Sequence, residues 1–389
     1  MIVGVPAEGS SVERRVALVP AALGAFSKAG IDVVVQRGAG AAAGFPDAGY
    51  ESRGARLVED WNELVAVADV VVCVGPPGER GGGPDTASMR DGLDIAGMRD
   101  GQILIGLLDP FRNLPAVRQL ARQGVTSFAL ELVPRISRAQ SMDVLSSMAT
   151  VAGYKAVLLA AAALGKMFPM MITAAGTLAP TKVLVVGAGV AGLQAIATAR
   201  RLGAVVAAYD IRPAVKEQVE SLGADFLEVE LDTGAAEDSG GYAIQMDEEF
   251  YRKQRELMAG AVAANDVVIT TAAVPGKRAP ILLTEEMVSG MNAGSVIVDL
   301  AAETGGNCEL TRAGETIEAH GVTIIGPVGL PATVPTHASQ MYAKNVSEFI
   351  MNLVHDGEAV LDGDDEIIKE TMVTHAGQVV NQQVKEMLD

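Results

Sequence analysis

The sequence predicts an α/β protein of two doubly wound parallel-sheet domains joined by long helices, and three observations carry that prediction. At 389 residues the chain is too long for one ordinary core, and its size fits two domains of about 100 to 200 residues each. Short Val- and Ile-rich runs alternate twice with helix-length segments, the pattern of a parallel sheet with crossover helices. Between the two series lies a long Ala-, Leu- and Met-rich helical stretch over 142–168, stopped by Pro169.

The first series reads as strands at 2–5, 32–35, 70–74, 103–108 and 126–130, with helices at 20–29, 60–67 and 115–123. A run of Gly, Pro and charged residues within 75–101 suits an exposed loop. The second series reads as strands at 182–186, 205–209, 225–227, 267–270, 296–299 and 322–325, with helices at 192–202 and 214–222. Two C-terminal helices, 338–353 and 366–388, are expected to return to the first domain. That places the first domain at 1–140 plus 331–389 and the second at 141–330.

Composition narrows the function classes. The chain is 49% hydrophobic and 20% charged, an ordinary globular balance, and its formal charge of −18 disfavours nucleic acid or an anionic membrane as partner. Cys73 and Cys308 have no second Cys or His at ligand spacing, which argues against a disulfide or zinc framework and for a reducing compartment. The four histidines are scattered and read as structural or surface residues. The most apolar stretch, 156–164, is shorter than the roughly 20 residues a bilayer needs and reads as a buried helix. The N-terminus starts directly as a strand, without an export signal, so a cytoplasmic location is expected.

The most specific motif is Lys182-Val-Leu-Val-Val-Gly-Ala-Gly-Val-Ala-Gly192, a GxGxxG turn after an apolar strand and before a helix. In a Rossmann-like unit Gly187 allows the tight turn, Gly189 lets the backbone approach a pyrophosphate at the helix N-terminus, and Gly192 allows close packing. The next strand ends at Asp210, where a carboxylate can accept hydrogen bonds from ribose hydroxyls and repel a 2′-phosphate, which favours NAD(H) over NADP(H). Arg212 weakens that preference, because a nearby guanidinium can accommodate a 2′-phosphate. The bland alternative is that the glycines serve packing alone and Asp210 ends a strand.

A dehydrogenase acting on an alcohol or amine moves a proton with the hydride and needs a positioned base, and no obvious base stands in the expected places. Hydride exchange between two nicotinamides needs alignment and a dry contact instead.

These residues resemble closely the soluble NAD(H)-binding component (domain I, or alpha subunit) of proton-translocating NAD(P) transhydrogenase, a relative of alanine dehydrogenase. The resemblance spans essentially the whole chain. Its most specific stretch is Pro134-Arg-Ile-Ser-Arg-Ala-Gln-Ser-Met-Asp-Val-Leu-Ser-Ser-Met148, similar to the family's Arg-Gln-Asp loop. The resemblance gives Arg135, Gln140, Asp143 and Ser146 the task of positioning the nicotinamide. On chemistry alone, Gln140 can donate to and accept from a carboxamide or ribose, and Arg135 can pair with Asp143. The same residues also read as a simple helix-capping segment. A second stretch over 234–250, centred on Gly240-Gly-Tyr-Ala-Ile-Gln-Met246, is similar to the family's mobile loop that closes over nucleotide, and otherwise reads as an acidic surface loop.

The resemblance thus implies catalytic roles for Arg135, Gln140, Asp143 and Tyr242. It implies cofactor contacts from those residues and from Ser146, Gly187, Ala188, Gly189, Val190, Gly192, Asp210, Ile211, Arg212, Gly241, Met246, Thr271 and Ala272, with NAD(H) as cofactor and no metal. It further implies a homodimer that docks on an NADP(H)-binding subunit and membrane-embedded subunits, peripheral to the inner membrane and active only with those partners. Alanine dehydrogenase activity is the alternative. Against it, the Lys and His that transfer protons in that enzyme fall on Gly75 and Asp109, and the Asp and Asn of its amino-acid site fall on Glu303 and Gly329. Its carboxylate-binding Arg is kept at Arg15, expected here as a structural remnant in an ion pair.

Overall fold

The computed structural model describes residues 1–10, 12–76, 94–228, 248–273, 278–355, 357–361 and 363–388, with the backbone alone for 248–251. The chain divides into two compact units, Met1–Met148 with Pro331–Asp389, and Ala149–Leu330.

The first unit opens with β1 (Ile2–Val5), β2 (Asp32–Gln36), β3 (Arg56–Val58), β4 (Val70–Val72), β5 (Ile103–Gly106) and β6 (Thr126–Ala129). They form a parallel sheet in the order β3-β2-β1-β4-β5-β6. Helices cover the faces of such a sheet, so its central strands read as unbroken apolar runs, and Val70, Val71 and Val72 have no exposed surface. The helix Trp61–Val67 starts where Asp60 accepts the Glu63 N–H, an N-cap legible in the sequence.

The second unit begins with an exposed hairpin, β7 (Met171–Thr173) and β8 (Gly176–Leu178). It continues through β9 (Lys182–Val186), β10 (Val205–Tyr209), β11 (Asp225–Leu227), β12 (Val267–Thr270), β13 (Val296–Asp299), β14 (Thr316–Ala319) and β15 (Val322–Ile325). The sheet order is β11-β10-β9-β12-β13-β15-β14, parallel except for the edge strand β14. Its strand order reverses between β9 and β12, the topological switch point of a doubly wound sheet. β1 and β4 hold the same place in the first unit.

The chain then forms β16 (Val354–His355), β17 (Glu358–Ala359), β18 (Met372–His375) and β19 (Gln378–Val379). β18 lies antiparallel to β6, so the first unit's sheet has eight strands. This corrects the single helix expected over 366–388, which is two short helices, Glu366–Thr371 and Gln382–Glu386, around a hairpin. The Val373-Thr374-His375 run pairs with the edge that β6 leaves open, and the Thr374 hydroxyl bonds Ser127 Oγ and the Val125 carbonyl, both at 2.7 Å. Ala376 and Gly377, at φ 47° and 78°, make the turn.

The long helix between the two series runs from Val144 to Ala163, shorter than the stretch expected from the sequence. By length and composition alone it could cross a bilayer, which the apolar core of 156–164 does not suggest. Ala156, Val157 and Ala160, all without exposed surface, pack in the second unit's core, as a core helix of a soluble fold does.

Candidate functional site

The GxGxxG turn sits at the switch point of the second unit. Gly187 follows β9 at φ 98°, donates its N–H to the Tyr209 carbonyl at 2.8 Å, and accepts the Thr271 hydroxyl on its own carbonyl at 2.9 Å. Any side chain at Gly192 would start 1.8 Å from that carbonyl oxygen, so Gly192 brings the helix Val190–Arg201 against the turn. Gly189, the N-cap of that helix, is different: a Cβ there meets nothing within 4 Å. Gly187 and Gly192 thus satisfy packing, while Gly189 leaves a clear approach to the N–H groups at the start of a helix, where an anion is favoured. Val190 is exposed and Ile211 half-buried beside this approach.

Gly153, which no sequence motif singles out, supports the turn from behind. A Cβ on it would lie 2.1 Å from the Ala191 carbonyl oxygen, so the residues of the long helix that belong to the second unit pack tightly on the helix N-terminus. An isolated Gly inside a helical pattern is the one sequence signal for such a contact.

Asp210 at the end of β10 is more engaged than expected. Its carboxylate accepts the Ala188 N–H at 2.7 Å and the Arg212 N–H at 2.9 Å, and it holds the Arg212 guanidinium through Nε at 2.9 Å and Nη2 at 2.8 Å. The side chains are 5% and 18% exposed. By sequence these residues have separate tasks, a ribose acceptor and a cation beside it; the structure joins them in one pair.

Thr271 and Ala272, after β12, are held by a network that the sequence does not reveal. Asn307 clamps Ala272 from both sides, accepting its N–H at 3.0 Å and donating to its carbonyl at 2.8 Å. Asp299, without exposed surface, supports Asn307 by accepting its N–H at 2.7 Å and the hydroxyls of Thr270 and Thr311 at 2.9 and 2.7 Å. A carboxylate this deep is stable because donors surround it. Its only sequence signal is an acid ending an apolar strand.

In the first unit, Ser137–Met142 forms a 3-10 turn leading into the long helix. Asp143 accepts the Ser146 N–H at 2.8 Å and its hydroxyl at 2.6 Å, so this pair does cap the helix. Arg135 and Gln140 are exposed. C-terminal residues pin the turn: Arg138 makes two bonds to Asp365, at 2.8 and 2.9 Å, and a third to Asn352 at 3.1 Å. Asn345 donates to the Ser141 carbonyl at 2.8 Å. The Arg138 guanidinium holds the Asp365 carboxyl down at about 2. Of the other expected site residues, Gly241, Tyr242 and Met246 lie outside the described residues.

Two family models match the chain, the N-terminal domain of alanine dehydrogenase/PNT over residues 4–152 and its C-terminal domain over 156–382. The chain belongs to that family. It is 44% identical over 385 residues to an NAD(P) transhydrogenase subunit alpha polypeptide of Rhodospirillum rubrum, covering 98% of both chains. The crystal structure of transhydrogenase from Sinorhizobium meliloti matches with a TM-score of 0.86 and 44% identity, over 98% of this chain and 100% of that one. The alanine dehydrogenase of Bacillus subtilis is a more distant relative, 29% identical over 99% of this chain and 94% of its own. The likeness within the family therefore supports a transhydrogenase role.

At the positions set against the alanine dehydrogenase branch of the family, the first unit carries internal contacts. Arg15 is nearly buried and makes a forked pair with Glu13, at 2.8 and 2.7 Å, so it stands in an ion pair as expected. The Gly75 N–H donates to Glu8 at 3.0 Å, and the Asp109 carboxylate pairs with Arg112 at 3.2 Å. In the second unit Glu303 accepts the Gly329 N–H at 2.6 Å. Burial pushes the Glu8 and Glu131 carboxyls up to about 7, although each accepts two main-chain N–H groups. Among the described residues no cluster of His, Cys, Asp or Glu is arranged to hold a metal ion.

Proposed function

We propose that this chain is the NAD(H)-binding component of a proton-translocating NAD(P) transhydrogenase, presenting NADH for direct, Re/Si-specific hydride transfer to NADP⁺ on a partner subunit. The observation that carries the reading is an intact nucleotide turn in a chain with Gly75 and the Arg112-paired Asp109 at the positions set against proton-transfer groups. Bound dinucleotide supplies the hydride from its nicotinamide. The chain's own residues bind and align: the helix N-terminus past Gly189 takes the pyrophosphate, Asp210 takes a ribose, and Thr271 and Ala272 line the approach from β12. Gln140 orients the carboxamide, on a loop held by Arg135, Asp143 and Ser146, and Tyr242 with Met246 closes over the nucleotide and keeps water out.

The chain acts with its partners. The hairpin β7–β8 and its approach expose Met167, Met170, Met171, Ile172 and Leu178, with Ile172 79% exposed. An apolar surface of this kind needs cover, and a second copy of the chain, making a homodimer, is the occupant we assign to it. The dimer docks peripherally, on the cytoplasmic side, against the NADP(H)-binding and membrane-embedded subunits that couple hydride transfer to proton movement.

The test mixes the purified chain with an NADP(H)-binding partner and follows hydride transfer from NADH to an NADP⁺ analogue. Turnover only in the mixture is expected, and pyruvate- and ammonium-dependent NADH oxidation by the chain alone would favour an amino-acid dehydrogenase.

A further inference from the structure

We propose that Arg212 is a displaceable occupant of the ribose subsite, so that nucleotide binds by exchanging with its guanidinium, and that this exchange sets affinity and the choice between NADH and NADPH. The proposal rests on Asp210 serving a ribose, as proposed above. An ionised carboxylate offers about four acceptor positions, and four donors already fill those of Asp210: the N–H groups of Ala188 and Arg212, and Nε and Nη2 of Arg212. A ribose diol brings further O–H donors, so some of these must leave.

The two main-chain donors are fixed by the fold. Ala188 lies inside the turn that Thr271 and Tyr209 hold through Gly187, and Arg212 is the N-cap residue of the short helix Pro213–Val215. The guanidinium is held only by its side chain and is 18% exposed, so it has a way out to water. Nε and Nη2 form a planar fork at 2.9 and 2.8 Å, one on each carboxylate oxygen, and two vicinal hydroxyls can replace that fork donor for donor. The carboxylate is then satisfied with and without nucleotide, and the cost of binding is the broken ion pair. A 2′-phosphate brings no such donors and meets the Asp210 charge; the released Arg212 is the group beside it that can offset this repulsion.

The test is fluorescence titration of NADH and NADPH into the wild-type chain, Arg212→Met, which keeps an apolar stem and loses the fork, and Arg212→Lys, which keeps the charge and loses the planar geometry. We expect Arg212→Met to bind NADH about fivefold tighter, the factor that corresponds to a partly exposed ion pair of about 1 kcal/mol. NADPH should bind it more weakly than wild type, and Arg212→Lys should fall between the two. The NADH difference between wild type and Arg212→Met should shrink as salt rises, since salt screens the competing pair. A purely structural role for Arg212 would not produce that shrinkage. Folded Arg212→Met that binds NADH no tighter than wild type would overturn the proposal. If that variant does not fold, Arg212→Lys decides: tighter NADH binding supports displacement, and equal or weaker binding overturns it. A wild-type chain that binds neither nucleotide would remove the NAD(H) reading itself, and the proposal with it.

Discussion

Gln140 has no packing duty, being exposed on a turn whose neighbours Arg138 and Ser141 are tied down by Asp365, Asn352 and Asn345. A residue so held can place an amide accurately without ordering itself on binding, which is where positional catalysis gains. Gln140→Asn keeps the amide but withdraws it by one methylene. Hydride transfer should slow by about 10- to 100-fold while NADH affinity changes less than about threefold. Single-turnover rates beside equilibrium titration separate the two, and a parallel loss of both would reduce Gln140 to a nucleotide holder. Glu8 tests a different single-residue effect. Its folded-state pKa of about 7 lies above the ordinary carboxylate value of 4.5 because burial disfavours its charge. Such a group stabilises the fold fully below about 4.5, and the contribution is lost as pH rises toward 7. Glu131, raised for the same reason, acts in the same direction. Melting temperature should therefore fall between about pH 5 and pH 8, and fall less in Glu8→Gln; the upper bound is about 3 kcal/mol per group. Equal pH slopes for the two proteins would mean that Glu8 titrates alike folded and unfolded.

At the scale of the element, the glycine turn separates packing from binding. Gly192→Ala drives a methyl into the Gly187 carbonyl at 1.8 Å and should cost about 1 to 3 kcal/mol of stability or more. Gly189→Ala meets empty space at a permitted φ of −74°, so the variant should melt near wild type yet lose NADH affinity by at least about tenfold, because its methyl occupies the pyrophosphate approach. Calorimetry and titration on the two variants check this, and NADH binding unchanged in Gly189→Ala would move the pyrophosphate elsewhere. Elements of this kind are legible in the sequence because strand, turn and helix follow without interruption; β9, β10 and β12 fall where their Val-rich runs place them. The segment 366–388 is not legible in that way. Its helical halves look continuous, while the force that turns Met372–His375 into a strand is the open edge of β6, far away in the chain.

For the whole molecule, the doubly wound α/β class is readable because each parallel sheet is buried on both faces and writes itself as apolar runs. The nucleotide turn is readable for the same local reason. What stays hidden is long-range: Asp299 and Asn307 clamping Ala272, Asp365 pinning Arg138, and Gly153 seating the helix start are contacts between residues distant in sequence, with ordinary residue types at each end. The Arg212 clasp on Asp210 is local, yet a two-residue spacing does not reveal whether acid and base bond each other or a ligand. The molecule these contacts describe aligns a hydride donor and lends no proton. The most direct measurement is to load the chain with NADH deuterated at the transferable C4 position, add a protein carrying NADP⁺, and locate the label. Label recovered quantitatively at C4 of the NADPH formed, with none in water, is the predicted result. Label washed into solvent, or delivered to a keto acid by the chain alone, would contradict it.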